Sequence, residues 1–145
     1  MEIFSIGFTK KSAAQFFGTL RDAGVRRLMD VRLNNRSQLA GFTKSTDLPY
    51  LLQEICEASY VHEPLLAPTQ QMLDEYKKKK GSWSDYEEQF LTLMADRDVS
   101  NLLDRASFDE ATVLLCSEPT AEQCHRRLVL EYLQRHWDGV IIRHL

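Results

Sequence analysis

Apolar positions along this chain come in short runs alternating with helical stripes. Residues 2–7, Glu-Ile-Phe-Ser-Ile-Gly, predict a buried strand stopped by Gly7. Ser12 offers a helix cap; Ala13, Phe16, Phe17 and Leu20 follow at helical spacing, and Gly24 ends that helix. Val25 to Val31 predicts a second strand, completing a strand–helix–strand unit. Residues 33–46 are mostly polar and predict a long loop, the kind that in compact domains is usually functional or mobile. Asp47 then caps a helix with Pro49 in its first turn and Leu51, Leu52 and Ile55 on its inner face.

Ser59 to His62 predicts a third strand, with Pro64 and Pro68 marking an irregular crossing after it. Two helical stretches follow, about 69–79 and 84–105, parted by Gly81; the second sets Tyr86, Phe90, Leu93, Met94 and Leu102 on one side. Thr112 to Cys116 has the continuous apolar character of a central parallel strand. Pro119 and Thr120 open a helix running to about His136, and Gly139 precedes a last strand, Val140 to His144. Strands alternating with helices and joined by right-handed crossovers predict an α/β fold. The expectation is a single domain over 1–145, a three-layer sandwich with a mainly parallel five-stranded sheet.

Composition narrows the classes. The chain has 145 residues, 43% apolar and 27% charged, enough to bury a core without a metal or disulfide staple. A net charge of -3 disfavours nucleic-acid binding through bulk positive charge and leaves a local basic cleft open. No apolar run approaches the ~20 residues of a membrane helix, so no membrane partner is expected. Met1 to Thr9 lacks a secretory signal, and Cys56, Cys116 and Cys124 are an odd number, which reads as reduced thiols in the cytoplasm. The Lys77–Lys80 run reads as a solvated helix end.

In open parallel sheets ligands bind beyond the carboxyl ends of the strands. Here those ends carry ionisable groups, and the strand interiors do not. Asp30 and Arg32 share a face of their strand; they either pair with each other or present a carboxylate and a guanidinium fork to a ligand. In Cys116-Ser-Glu-Pro-Thr-Ala-Glu-Gln-Cys124-His125-Arg126, Thr120 and Gln123 have capping-box spacing, which sets the helix start at Thr120. Cys124, His125 and Arg126 then end the first turn, where the helix field lowers a thiol pKa and attracts anions. Core packing is the bland alternative, since Leu128 and Val129 continue the same face. Cys116, Cys124, His125 and His62 include thiolate and imidazole donors, but neighbours on one helix point about 100° apart. No Cys-x-x-Cys or His-Glu-x-x-His spacing is present, so no metal ligand is assigned and the cofactor stays unknown. Walker and dinucleotide loops are absent too. If Cys116 and Cys124 face each other, oxidation would join them. In the loop, Arg36, Gln38 and Lys44 are donors, and Phe42 either stacks on a flat ligand or tucks into the core.

The opening Ser-Ile-Gly-Phe-Thr, Asp30-Val31-Arg32, Gly41-Phe42-Thr43-Lys44, Tyr60-Val61-His62 and the Cys116…Cys124-His125-Arg126 segment together resemble the bacterial family catalogued as domain of unknown function 488. The resemblance covers nearly the whole chain. It implies a small cytoplasmic α/β domain without an established reaction, and it marks Gly7, Asp30, Arg32, Phe42, His62, Cys116, Glu118, Cys124, His125 and Arg126. Departures are Asn35 where many members carry Pro, Ser37-Gln38 where a Ser-Arg pair often stands, and His62-Glu63-Pro64-Leu65-Leu66-Ala67 where many have Gly after the leucine.

Together these readings favour an enzyme acting on a small anionic substrate, phosphate-bearing or nucleotide-derived. Cys124 or Cys116 is the nucleophile and His125 the base, with Glu118 or Asp30 orienting the histidine or an arginine. Arg32 and Arg126 form an anion clamp, with Gly7, Arg36, Phe42, Lys44 and His62 on the substrate side. The alternative is a nucleic-acid or nucleotide binding module using Arg32, Arg36, Lys44 and Phe42 without catalysis. A third reading is a sensor or interaction domain whose polar cluster is structural.

Overall fold

The structure, a computed structural model, describes residues 1–36 and 41–145. Its strands are β1 (Glu2–Gly7), β2 (Arg27–Asp30), β3 (Ser59–His62), β4 (Thr112–Cys116) and β5 (Ile141–His144). They form one sheet in the order β3-β2-β4-β1-β5, with every neighbouring pair parallel. β4 lies in the middle and is buried throughout, as its unbroken apolar run requires of a strand covered on both faces.

The helices are α1 (Ala13–Asp22), α2 (Leu48–Cys56), α3 (Gln70–Leu73), α4 (Trp83–Asp96), α5 (Val99–Leu102) and α6 (His125–His136). Alternation along each strand divides the side chains between two apolar layers. Phe4, Ile6, Leu28, Val113 and Leu115 pack with Phe16, Phe17 and Leu20 of α1 and Leu48 and Leu52 of α2. Ile3, Met29, Leu114 and Cys116 pack on the other face with Phe90 and Met94 of α4 and Leu128 and Leu133 of α6. This is the expected three-layer arrangement. No helix among the described residues is long and apolar enough to cross a membrane.

Several expected boundaries move. α1 starts at Ser12 as read, where a capping box with Gln15 forms, but α2 buries Leu48, Leu52 and Cys56, while Ile55 faces out. The stretch 84–105 breaks at Asp98, which takes a left-handed φ of 54°, and this leaves Leu102 64% exposed. The stretch 69–79 is a short α-helix that widens into a π turn at Asp74–Lys78, with Lys79 N–H bonded to the Asp74 carbonyl.

The largest shift is in α6, which begins at His125 instead of Thr120, with Cys124 as an extended N-cap (φ −137°, ψ 140°). The cause is Arg126, which is 0% exposed and must satisfy its guanidinium inside the protein. Its Nη1 donates to the Glu118 carbonyl at 2.7 Å and its Nε to Ser5 Oγ at 3.2 Å. Those bonds draw the 117–124 segment down onto β1 and away from a helical path.

The topology also locates a crevice. β1 connects through α1 toward β2 on one side of the sheet, and β4 connects through α6 to β5 on the other. The adjacent strands β1 and β4 therefore send their chains in opposite directions, and a crevice opens between their carboxyl ends. Gly7 and Cys116 are register partners at that point.

Candidate active site

Cys116 ends β4 at the floor of this crevice and is 4% exposed. The extended backbone at Cys124 lets that side chain and His125 both turn toward it. One ligand-capable atom from each of the three residues lies within 4.8 Å of the other two. His125 is held from behind by its Nε2, 2.7 Å from the Val31 carbonyl. A carbonyl only accepts, so Nε2 carries a proton, and in the neutral ring Nδ1 is the acceptor. Cys116 Sγ lies 3.4 Å from Nδ1 and 3.9 Å from Nε2, so the sulfur sits over the nitrogen edge of the ring instead of on the Nδ1 lone-pair axis.

The two thiols are set apart electrostatically. The Cys116 thiol is held below its ordinary pKa, first by the Cys124 S–H, which donates to the thiolate, with burial opposing. The backbone N–H groups of Ser117 and Glu118 and the Arg126 charge add to the lowering. Cys124 is pushed up by the same bond and by burial. Cys116 is therefore the more acidic thiol of the pair, and Cys124 is the one placed to donate to it once it ionises.

The Asp30-Val31-Arg32 triplet works mainly through its main chain. Arg32 grips Asp30 in a bidentate pair, Nε to Oδ1 at 2.9 Å and Nη2 to Oδ2 at 2.8 Å. It also reaches Thr43, at the carbonyl (2.6 Å) and at Oγ1 (3.4 Å), and lies over the Phe8 ring at 5.2 Å. Tyr60 donates to Asp30 Oδ2 at 2.7 Å, and Asn35 Nδ2 donates to the Tyr60 oxygen at 3.1 Å. The locked side chains fix two carbonyls in space: Val31 receives His125, and Arg32 receives His62 Nε2 at 2.7 Å. Asp30 thus orients His125 only through the backbone, and the guanidinium of Arg32 is committed inside the protein.

Above the cysteines lies a cavity of about 370 Å³. Tyr76, Trp83 and Tyr86 form an aromatic wall, with the Trp83 and Tyr86 rings stacked at 5.2 Å. Lys77 and Glu118 pair at 2.7 Å across the mouth, and Tyr76 donates to Gln123 beside them at 3.3 Å. Lys78, paired with Asp74, lines the same rim, so part of the lysine run read as a solvated helix end borders the cleft. Asn34, Leu33 and Arg32 form the opposite side.

Other expected site residues lie elsewhere. Phe42 packs against Phe16 and Phe17 in the opposite apolar layer, so the core alternative holds for it. Arg36 is exposed, its N–H bonded to Asn34 Oδ1, and neither Arg36 nor Lys44 lines the cleft. Gln38 falls outside the described residues. Gly7 serves packing: a Cβ there would overlap the Glu118 carbonyl and come within 3.1 Å of Arg126 Nη1. Arg126 lies behind Cys116 as a buried tie and not as an open clamp. Trp83 and Tyr86 are one turn apart on α4, but Tyr76 joins them from the π turn, which the sequence did not reveal. Besides Tyr86, already placed on one helix side, a sequence signal was Gly81, whose missing side chain lets the Glu75 carbonyl approach.

A family model described as "Domain of unknown function DUF488" matches residues 12–133. That span holds the Asp30 triplet and the whole Cys116–Arg126 segment, and leaves out β1 and β5. No curated protein and no solved structure matches the chain.

Proposed function

The chain belongs to the DUF488 family, and on that footing we propose that it is a thiol-dependent enzyme acting on a small, flat, anionic substrate, nucleotide-derived by chemistry. Cys116 is the nucleophile, Cys124 the donor that steadies its thiolate, and His125 the proton carrier. One observation carries this reading. Cys116 Sγ lies at the floor of a cavity at the sheet's switch point, 3.4 Å from Nδ1 of a histidine anchored on Val31.

The chemistry follows from those positions. The Cys116 proton passes to His125 Nδ1, while Nε2–H stays on the Val31 carbonyl and steadies the imidazolium. The thiolate forms a bond to an electrophilic centre of the substrate. The bond to the leaving group breaks, and the leaving group takes the proton back from Nδ1. The Tyr76–Trp83–Tyr86 wall supports a flat ring, and Lys77 and Lys78 at the mouth support an anionic group. The non-catalytic binding reading draws on Arg32, Arg36, Lys44 and Phe42, and these do not converge: Arg32 is bonded to Asp30 and Phe42 sits in the opposite layer.

The test is alkylation of reduced, chelator-treated protein at neutral pH, resolved by peptide mass spectrometry. Cys116 is expected to react at least ~10-fold faster than Cys124 or Cys56, and His125→Ala to slow it by a factor of ~10 or more. A nucleoside monophosphate is expected to protect it. A Cys116 that stays inert until the protein unfolds would overturn the reading.

A further inference from the structure

Three soft or borderline donors stand together at the cleft floor, and the geometry that assembles them removes the reason for discounting a metal. On one helix, Cys124 and His125 would diverge by about 100°. In the folded chain Cys124 is the extended N-cap residue of α6, so its side chain leaves the helical track and closes on Cys116 and His125. In a tetrahedral zinc site, bonds of ~2.3 Å to sulfur and ~2.0 Å to nitrogen set neighbouring donor atoms roughly 3.5–4 Å apart. Cys116 Sγ and His125 Nδ1 are at 3.4 Å, and all three donors fall within 4.8 Å.

The surroundings fit a metal centre as well. Metal-binding histidines commonly give their second N–H to a carbonyl or carboxylate, which fixes the tautomer. His125 does this on Val31 at 2.7 Å, leaving Nδ1 as the ring nitrogen for the ion. Phe90 backs the ring at 5.4 Å, and the open side of the triangle faces the cavity. We propose that Cys116, Cys124 and His125 form a three-ligand site for a divalent cation of the zinc class, with the fourth position open to the cleft. Binding makes two metal–sulfur bonds and one metal–nitrogen bond, and expels the protons of both thiols.

This inference rests on the same site as the enzyme reading, and the two states exclude each other in time. A bound cation takes the Cys116 lone pair and silences the nucleophile, so the metal-bound chain is the resting form and the metal-free chain the reactive one.

The experiment uses the full chain, reduced and stripped by chelator, titrated with Co(II) alone and then with Zn(II). One Co(II) per chain is expected, with the intense visible bands of a tetrahedral site and a thiolate-to-cobalt band in the near ultraviolet, both displaced by Zn(II). Protons should be released into a weak buffer on binding. Zn(II) should protect Cys116 and Cys124 from alkylation but not Cys56, which lies in the opposite layer bonded to the Phe17 carbonyl. Cys124→Ser should weaken Co(II) binding by ~10-fold or more. The protection measurement needs no variant, so a poorly folding substitution does not blunt the test. Absence of the thiolate band, or binding unchanged in Cys124→Ser, overturns the metal site. If Cys116 is reactive in stripped protein and no metal binds, the enzyme reading stands and the metal site falls. If metal binds and stripped Cys116 is inert, the reverse holds.

Discussion

Tyr60 keeps its proton in the folded protein well past the pH at which a free tyrosine gives it up. Burial is the main cause, and the bond its hydroxyl donates to Asp30 adds to it, together pushing the phenol up to about 12. An unfolded tyrosine ionises near ~10. The stability this group contributes is therefore complete below pH ~10 and is lost as pH rises from there to about 12. Denaturant midpoints measured across that window should fall with pH, and Tyr60→Phe should flatten the fall. An identical slope in both proteins would show that Tyr60 is not the group involved. The residue matters because Asp30, which it serves, is buried against Arg32. Breaking such a pair from one side typically costs ~3–5 kcal/mol, since the other charge is left buried and alone. That both residues share a face is legible from their two-residue spacing. That Tyr60, Asn35 and Thr43 complete the network is not, because each arrives from a different segment.

At the level of elements, the decisive junction joins the end of β1, the 117–124 segment and the start of α6. The sequence shows a capping-box pattern at Thr120 and Gln123, and local propensity favours a helix there. Tertiary demand overrides it: Arg126 needs the Glu118 carbonyl, and that carbonyl lies where a side chain on residue 7 would be. Gly7→Ala should therefore destabilise by at least ~1–3 kcal/mol and, by displacing Glu118, slow Cys116 alkylation in the metal-free protein. Gly18→Ala is the control. It sits mid-helix in α1 with open space around it and should gain up to ~1 kcal/mol without touching Cys116. Equal reactivity of Cys116 in both variants would detach Gly7 from the site. Element by element, the strands and α1 were readable because their periodicity is local. The left-handed break at Asp98 and the π turn at Asp74–Lys78 were not, because neither carries a glycine or proline to mark it.

For the molecule as a whole, the sheet order places a crevice at the carboxyl ends of the strands, and the two tryptophans report on opposite ends. Trp83 lines the cleft, whereas Trp137 is buried against Phe108 near the amino ends of the strands, where Phe108 shares a shallow concavity with Met1 and Glu2. A nucleoside monophosphate should quench fluorescence in the native protein and in Trp137→Phe, but not in Trp83→Phe. Quenching that survives in Trp83→Phe would move the ligand away from the cleft. Read alone, the sequence determined the α/β class, the parallel central strand and the set of candidate groups at the strand ends. Those depend on alternation, apolar runs and residue chemistry, which are local properties of the chain. Only the tertiary structure decided which candidates meet. It committed Arg32 and Arg126 to internal bonds, sent Phe42 to the opposite layer, and brought Cys124 out of the helix to join Cys116 and His125. The physical reason is that buried charges and carbonyls must find partners across long sequence separations, and satisfying them set the backbone path that assembles the site.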